Sequence, residues 1–153
     1  MPKATFANIG EHKARIGQEI AVGEWFEVTQ QRITRFAVAT DDHQWIHTDP
    51  ARAMKESPFG GAVAHGYLTL SLVPALFNDA IEIGGLHLGI NYGLNRVRFT
   101  APVKAGARVR LRVTPNKVED IEGGYQITWG AVMDLEDSTP PALVAEIIVR
   151  RYA

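Results

Sequence analysis

The stretch that most constrains this chain is residues 60–80, GGAVAHGYLTLSLVPALFNDA. A glycine pair and an Ala-Val-Ala step lead into residues 66–80, where Tyr67, Leu68, Leu70, Leu72, Val73, Ala75, Leu76 and Phe77 fall on nearly every side of a helical projection. A helix apolar all round is expected to be buried all round. At about 15 residues it is shorter than the roughly 20 apolar residues that a bilayer span requires, so protein should surround it. Pro74 lies inside it, removes one backbone hydrogen bond and predicts a bend.

The remainder of the chain supplies strands to do the wrapping. Residues 86–101 end in an alternation that sets Val97 and Phe99 against Arg96, Arg98 and Thr100, and Pro102 with Gly106 marks a turn. From Arg108 the alternation is strict, with Val109, Leu111 and Val113 inward and Arg108, Arg110 and Arg112 outward. After a turn at residues 122–124, Ile127, Trp129, Ala131 and Met133 line one face of a third strand. Pro140 and Pro141 precede a fourth at residues 143–152. Four successive strands on short turns imply an antiparallel meander. One buried helix and an antiparallel sheet that curls around it make an α+β domain, with a single domain expected over residues 1–153. A sheet that wraps only partly leaves an edge or an apolar flank, which predicts a homodimer.

Upstream, residues 1–17 read as a polar terminal arm with a short helix at most. Residues 17–29 predict a first strand with Ile20, Val22, Trp25 and Val28 inward and Gly23 as a break. Thr29 offers an N-cap hydroxyl, and Ile33, Phe36, Ala37 and Thr40 recur at helical spacing, so a helix should run from Gln30 to near Asp41. A polar helix-like stretch, ARAMKES, follows at residues 51–57.

Composition narrows the function. A formal net charge of -1 argues against a general nucleic-acid or membrane-surface binder, because either requires a basic excess. The absence of cysteine removes disulfides, thiolate catalysis and sulfur-ligated metals. The N-terminal residues have no continuous apolar core of signal-peptide type, so the cytoplasm is the expected location.

The chemistry concentrates in residues 40–50, TDDHQWIHTDP, with three carboxylates and two imidazoles. Asp42 and His47 would face one cavity if the chain between them turned back on itself, and such a pair can hold a water and move its proton near neutrality. Gly66 opens the apolar helix, where backbone N–H groups lack intrahelical partners and can stabilise an oxyanion without side-chain obstruction. Spacing alone leaves other readings open. An Asp after a helix is commonly turn chemistry or a cap. His43 and His47 could hold a metal if their segment were helical, but no HExxH arrangement is present and no metal is expected. His65 and His87 read as structural or exposed, and the strand arginines as a solvated face.

These residues carry a resemblance. FAVATDDHQWIHTDPARA resembles the hydratase motif of the MaoC-like dehydratases, the (R)-specific enoyl-CoA hydratases, whose form is D-x-N-P-x-H followed by an acidic residue and Pro. AVAHGYLTLSLVPAL is similar to the start of that family's central helix, and RVRFTAPVKAGARVRLRV to its F-x-x-P-V-x-x-G strand turn. The DHQWIH variant and INYGLNRVRF resemble the NodN-like branch. The family's Asn-Pro stands here as Gln44-Trp45, with Gln44 retaining an amide. Pro74 occupies a position where several relatives carry a small polar residue.

The resemblance implies a hot-dog fold, a long central helix wrapped by a curved antiparallel sheet, acting on an acyl-CoA thioester. It implies Asp42 and His47 as the catalytic pair, Gly66 as the N–H donor to the thioester carbonyl, and Gln44 as a substrate contact. Neither a metal nor another cofactor is required. The implied reaction is reversible addition of water to a trans-2-enoyl-CoA, giving an (R)-3-hydroxyacyl-CoA. A hot-dog thioesterase would direct the water at the carbonyl carbon instead, and a non-catalytic acyl-CoA-binding protein would keep the fold without needing the pair.

Overall fold

The computed structural model describes residues 2–153. Its main sheet has six strands. A two-residue β2 (Ala21–Val22) and β3 (Phe26–Glu27) both lie antiparallel to β6 (Arg108–Ile121), followed by β7 (Gly124–Leu135), β8 (Leu143–Tyr152) and, at the far edge, β5 (Leu88–Arg98). The sheet packs on α5 (Gly66–Ser71) and α6 (Val73–Ala80), giving the hot-dog arrangement. Val109, Leu111, Ile127, Trp129, Met133 and Leu143 are inaccessible or nearly so and face the helix. The period-2 alternation therefore places residues 109, 111, 113 and 115 of β6 and 127, 129, 131 and 133 of β7 in the core.

The strands are not a simple meander. β6, β7 and β8 follow one another, but β5 pairs with β8 and not with β6. The cause lies in residues 99–107, which turn at Gly106 as expected (φ 89°, with Ala107 N–H donating to the Lys104 carbonyl at 2.9 Å) but are also pinned to a second segment. Ala64 N–H donates to the Val103 carbonyl (2.7 Å) and Ala105 N–H to the Ala62 carbonyl (2.9 Å). This carries the chain past the start of α5 from one side of the sheet to the other.

The central helix breaks where Pro74 predicted a bend, but departs from expectation in its burial. It is interrupted at Leu72, two residues before Pro74, whose missing N–H leaves the Leu70 carbonyl without its helical donor. It is not buried all round. Leu68, Leu72, Val73, Leu76 and Phe77 are buried, whereas Tyr67 is 69% exposed and Pro74 and Ala75 are open. The sheet covers only one flank, and the opposite flank shares its exposure with β5.

The N-terminal segment is more structured than its polarity implied. Strand β1 (Ala4–Phe6) pairs in parallel with β4 (Ile81–Ile83) directly after α6, and α1 (Gly10–Lys13) seats His12 against Phe6 and Trp129. Phe6, Ile9 and His12, three residues apart, plug the end of the core. Gly23 does break the first strand. Around that break Ile20, Ala21 and Phe26 pack on the core beside buried Val28, while Trp25 turns out under the Arg110 guanidinium. Arg108, Arg110 and Arg112 face outward as expected, paired with Glu136, Asp134 and Glu19. Among the described residues no helix is long and apolar enough to cross a membrane.

Candidate active site

Helix α2 (Gln30–Thr40) forms as its sequence dictates: the Thr29 hydroxyl accepts from Arg32 N–H (3.1 Å), and Ile33 and Ala37 are buried. It stops at Asp41, which adopts a left-handed backbone (φ 59°). Asp tolerates that region better than most side chains, and the reversal points the following residues back toward the core. A single turn, α3 (Trp45–Thr48), then places His47. The Thr48 hydroxyl donates to the His43 and Gln44 carbonyls, and the Gln30 side-chain amide donates to the His47 carbonyl at 2.8 Å. The turn is thereby tied both to itself and to α2. The Asp49 carboxylate caps the next helix, α4 (Pro50–Glu56), by accepting from Arg52 N–H.

His47 is 8% exposed, and its Nδ1 lies 2.6 Å from the Val63 carbonyl oxygen. A carbonyl only accepts, so Nδ1 carries the hydrogen and Nε2 presents a lone pair in the neutral ring. Burial holds the His47 pKa below the ordinary imidazole value, with the neighbouring His65 adding to the depression and the Val63 bond and Asp42 opposing it. His47 is therefore a neutral proton acceptor at neutral pH.

Asp42 follows the left-handed residue and is exposed, its Oδ1 3.4 Å from Gln44 N. Donor atoms of Asp42, His47 and His65 lie within 4.8 Å of one another. A water bridging two of them needs about 2.8 Å to each, and the gap is of that size. His47 and His65 each already engage one nitrogen on a backbone carbonyl, which leaves at most one per ring for a cation. The alternative pair His43 and His47 is not assembled: His43 precedes the α3 turn, is exposed, and lies beside Asp41 (3.9 Å).

Gly66 is the first residue of α5 and lines a cavity of about 320 Å³ together with Ile46, His47, Phe59, Thr69 and Phe99. The structure thus brings Asp42, His47 and the α5 N-terminus together. Gln44 sits at the N-cap of α3, where its backbone carbonyl accepts from His47 N–H (3.0 Å) and its side chain is exposed. By sequence His65 reads as structural or exposed, with no part in the site. It is 3% exposed, stacked on His47, and reaches the Asp42 carbonyl with Nε2 (3.0 Å). Its placement immediately before Gly66 was the one available signal. Phe99 was read as sharing a strand face with Val97, yet it lies beyond β5 as a wall of the cavity.

Residues 11–133 match the family described as the MaoC like domain. The chain is 45% identical over 150 residues to 3-hydroxyacyl-thioester dehydratase Z of Mycobacterium tuberculosis, covering 97% of this chain and 99% of that protein. It is 44% identical over 144 residues to nodulation protein N of Rhizobium leguminosarum bv. viciae, covering 92% and 89%. Among solved structures, an R-hydratase from Pseudomonas aeruginosa in the unliganded form superposes with a TM-score of 0.71 at 20% identity, over 90% of this chain and 81% of that one.

Proposed function

The chain belongs to the MaoC-like dehydratase family, and from that premise we propose that it is an (R)-specific enoyl-CoA hydratase, acting as one hot-dog domain over residues 1–153 in the cytoplasm. The observation that carries the reading is the His47 ring. Its Nδ1–H is committed to Val63, its Nε2 is free, and it stands beside Asp42 at the cavity that begins under Gly66.

In this reaction Asp42 and His47 hold a water over the β carbon of a trans-2-enoyl thioester. As the water oxygen bonds to that carbon, His47 Nε2 takes its proton, and the π electrons move toward the thioester oxygen. The Gly66 N–H, one of the helix-start donors without an intrahelical partner, stabilises the enolate oxygen. Return of a proton to the α carbon from the Asp42–His47 pair completes the 3-hydroxyacyl thioester and restores the base. The exposed Gln44 amide is a substrate contact at the rim.

The same reading includes a homodimer. Strand β5 has an unpaired edge, and Leu88, Ile90, Tyr92 and Leu94 along it are each between 46% and 55% exposed. An unpaired edge strand that carries four exposed apolar side chains is an interaction surface, and a second copy offers the matching one.

The test is to mix the protein with crotonyl-CoA and longer trans-2-enoyl-CoAs and follow the conjugated thioester absorbance, with Asp42→Asn and His47→Ala alongside. Loss of absorbance without free thiol, abolished in both variants, supports the hydratase. Released thiol, or no change at any chain length, removes it.

A further inference from the structure

His65 occupies a position whose local requirements it does not meet. It is the N-cap of α5, with extended backbone angles (φ −57°, ψ 136°), and its side chain makes no capping bond to the helix. Ser, Thr, Asp or Asn there would satisfy an orphan N–H and stabilise the helix start. The imidazole turns away from the helix instead. Nε2 lies 3.0 Å from the backbone carbonyl of Asp42, 23 residues earlier, so Nε2 carries the hydrogen and donates. The ring then stacks on His47, centroids 3.8 Å apart and planes 23° from parallel, and Phe36 of α2 backs it at 4.9 Å.

A structural filler does not account for this. His65 is 3% exposed, and its Nδ1 has no hydrogen-bond partner, an arrangement that an apolar side chain would avoid at lower cost. What the imidazole supplies is attachment. Asp42 follows a left-handed residue and its own carboxylate has only the long 3.4 Å approach to Gln44 N, so the bond from His65 is the firm tie on its backbone.

We propose that His65 is the positioning residue of this site: its Nε2–H fixes the Asp42 backbone while the face of its ring sets the plane of His47, keeping the carboxylate and the proton acceptor in register at the start of α5. This rests on the hydratase reading above. The titratable groups acting on His47 are Asp42, from the loop after α2, and His65, from the segment before α5. Asp42 favours the protonated ring and His65 disfavours it.

His65→Phe keeps a ring against Phe36 and His47 but has no N–H, and His65→Gln keeps a donor but no ring. For His65→Phe with wild-type melting behaviour, kcat should fall roughly ten- to hundredfold with KM nearly unchanged, because the reacting groups are misplaced while the cavity is intact. The acid limb of kcat/KM should move to higher pH, and His65→Gln should recover part of kcat. If His65→Phe does not fold, His65→Gln carries the measurement, with kcat reduced and the acid limb raised.

An NMR titration of His47 in the resting protein reads the same coupling without turnover. A raised His47 pKa in the variants therefore supports the proposal even if the wild type hydrates nothing, in which case only the functional reading fails. Wild-type kcat and an unmoved His47 titration in a folded His65→Phe protein would overturn it.

Discussion

A β carbon built on Gly66 would stand 2.9 Å from Cδ2 of Phe99, inside the contact distance of real side chains. The start of the central helix and the chain leaving β5 therefore touch through the bare glycine. Gly66→Ala should destabilise the fold by about 1–3 kcal/mol, the range for an added methyl group in a packed contact. Phe99 is 45% exposed and can be cut back at little cost, so Gly66→Ala with Phe99→Ala should recover most of that loss. A double-mutant cycle by urea denaturation checks this, and simple additivity would remove the contact as the cause.

The depressed His47 pKa predicts the pH dependence of turnover. The base is active when neutral, so kcat/KM should be level through neutrality and fall only below the ordinary value of 6.5. An acid limb centred at or above that value would contradict the burial argument.

A second imidazole predicts the pH dependence of stability. His12 is fully buried between Phe6 and Trp129, neither ring nitrogen has a hydrogen-bond partner, and burial lowers its pKa from 6.5. With the folded value below the unfolded one, stability is complete above the unfolded value. It is lost as pH falls from there through the folded value, because the unfolded chain takes up the proton first. Urea midpoints measured from about pH 7.5 down to pH 5 should decline, and His12→Phe should flatten that decline without abolishing it, since His47 contributes in the same direction. An unchanged slope would show that His12 has the same pKa folded and unfolded, and would contradict the burial argument.

The exposed β5 edge predicts the assembly. Sedimentation should give twice the 16.8 kDa chain mass, and Leu94→Arg with Ile90→Lys should give the single-chain mass, since unpaired charge on both sides of a self-matching surface opposes pairing. A wild-type monomer at micromolar concentration would contradict the homodimer.

Much of the frame was legible because the physics was local. The alternation in β6 and β7, the Thr29 cap and the Pro74 interruption each depend on residues within one or two turns. What escaped was set by long-range contact. The parallel pairing of β1 with β4 leaves no mark on a polar arm, since three residues are too few for a periodicity. The placement of β5 beside β8 depends on how residues 62–64 and 103–105 hold one another, which neither segment announces alone. In the site, Asp42, His47 and Gly66 could be named from residue type, spacing and family resemblance. His65 could not, because a histidine before a helix looks the same whether its ring reaches a carbonyl 23 residues away or solvent.

Because β8 lies between β7 and β5, the sheet is completed from its middle by its latest-synthesised strand. Until residues 143–152 are in place, β5 and β7 have no strand to join them, and the hairpin of β6 and β7 carries an open edge of unpaired backbone groups. Domains fold as units during synthesis, and unpaired edges are where nascent chains associate wrongly. This topology therefore makes any state in which β8 is not yet in place the one most prone to associate wrongly, because β5 and β7 then both carry open edges.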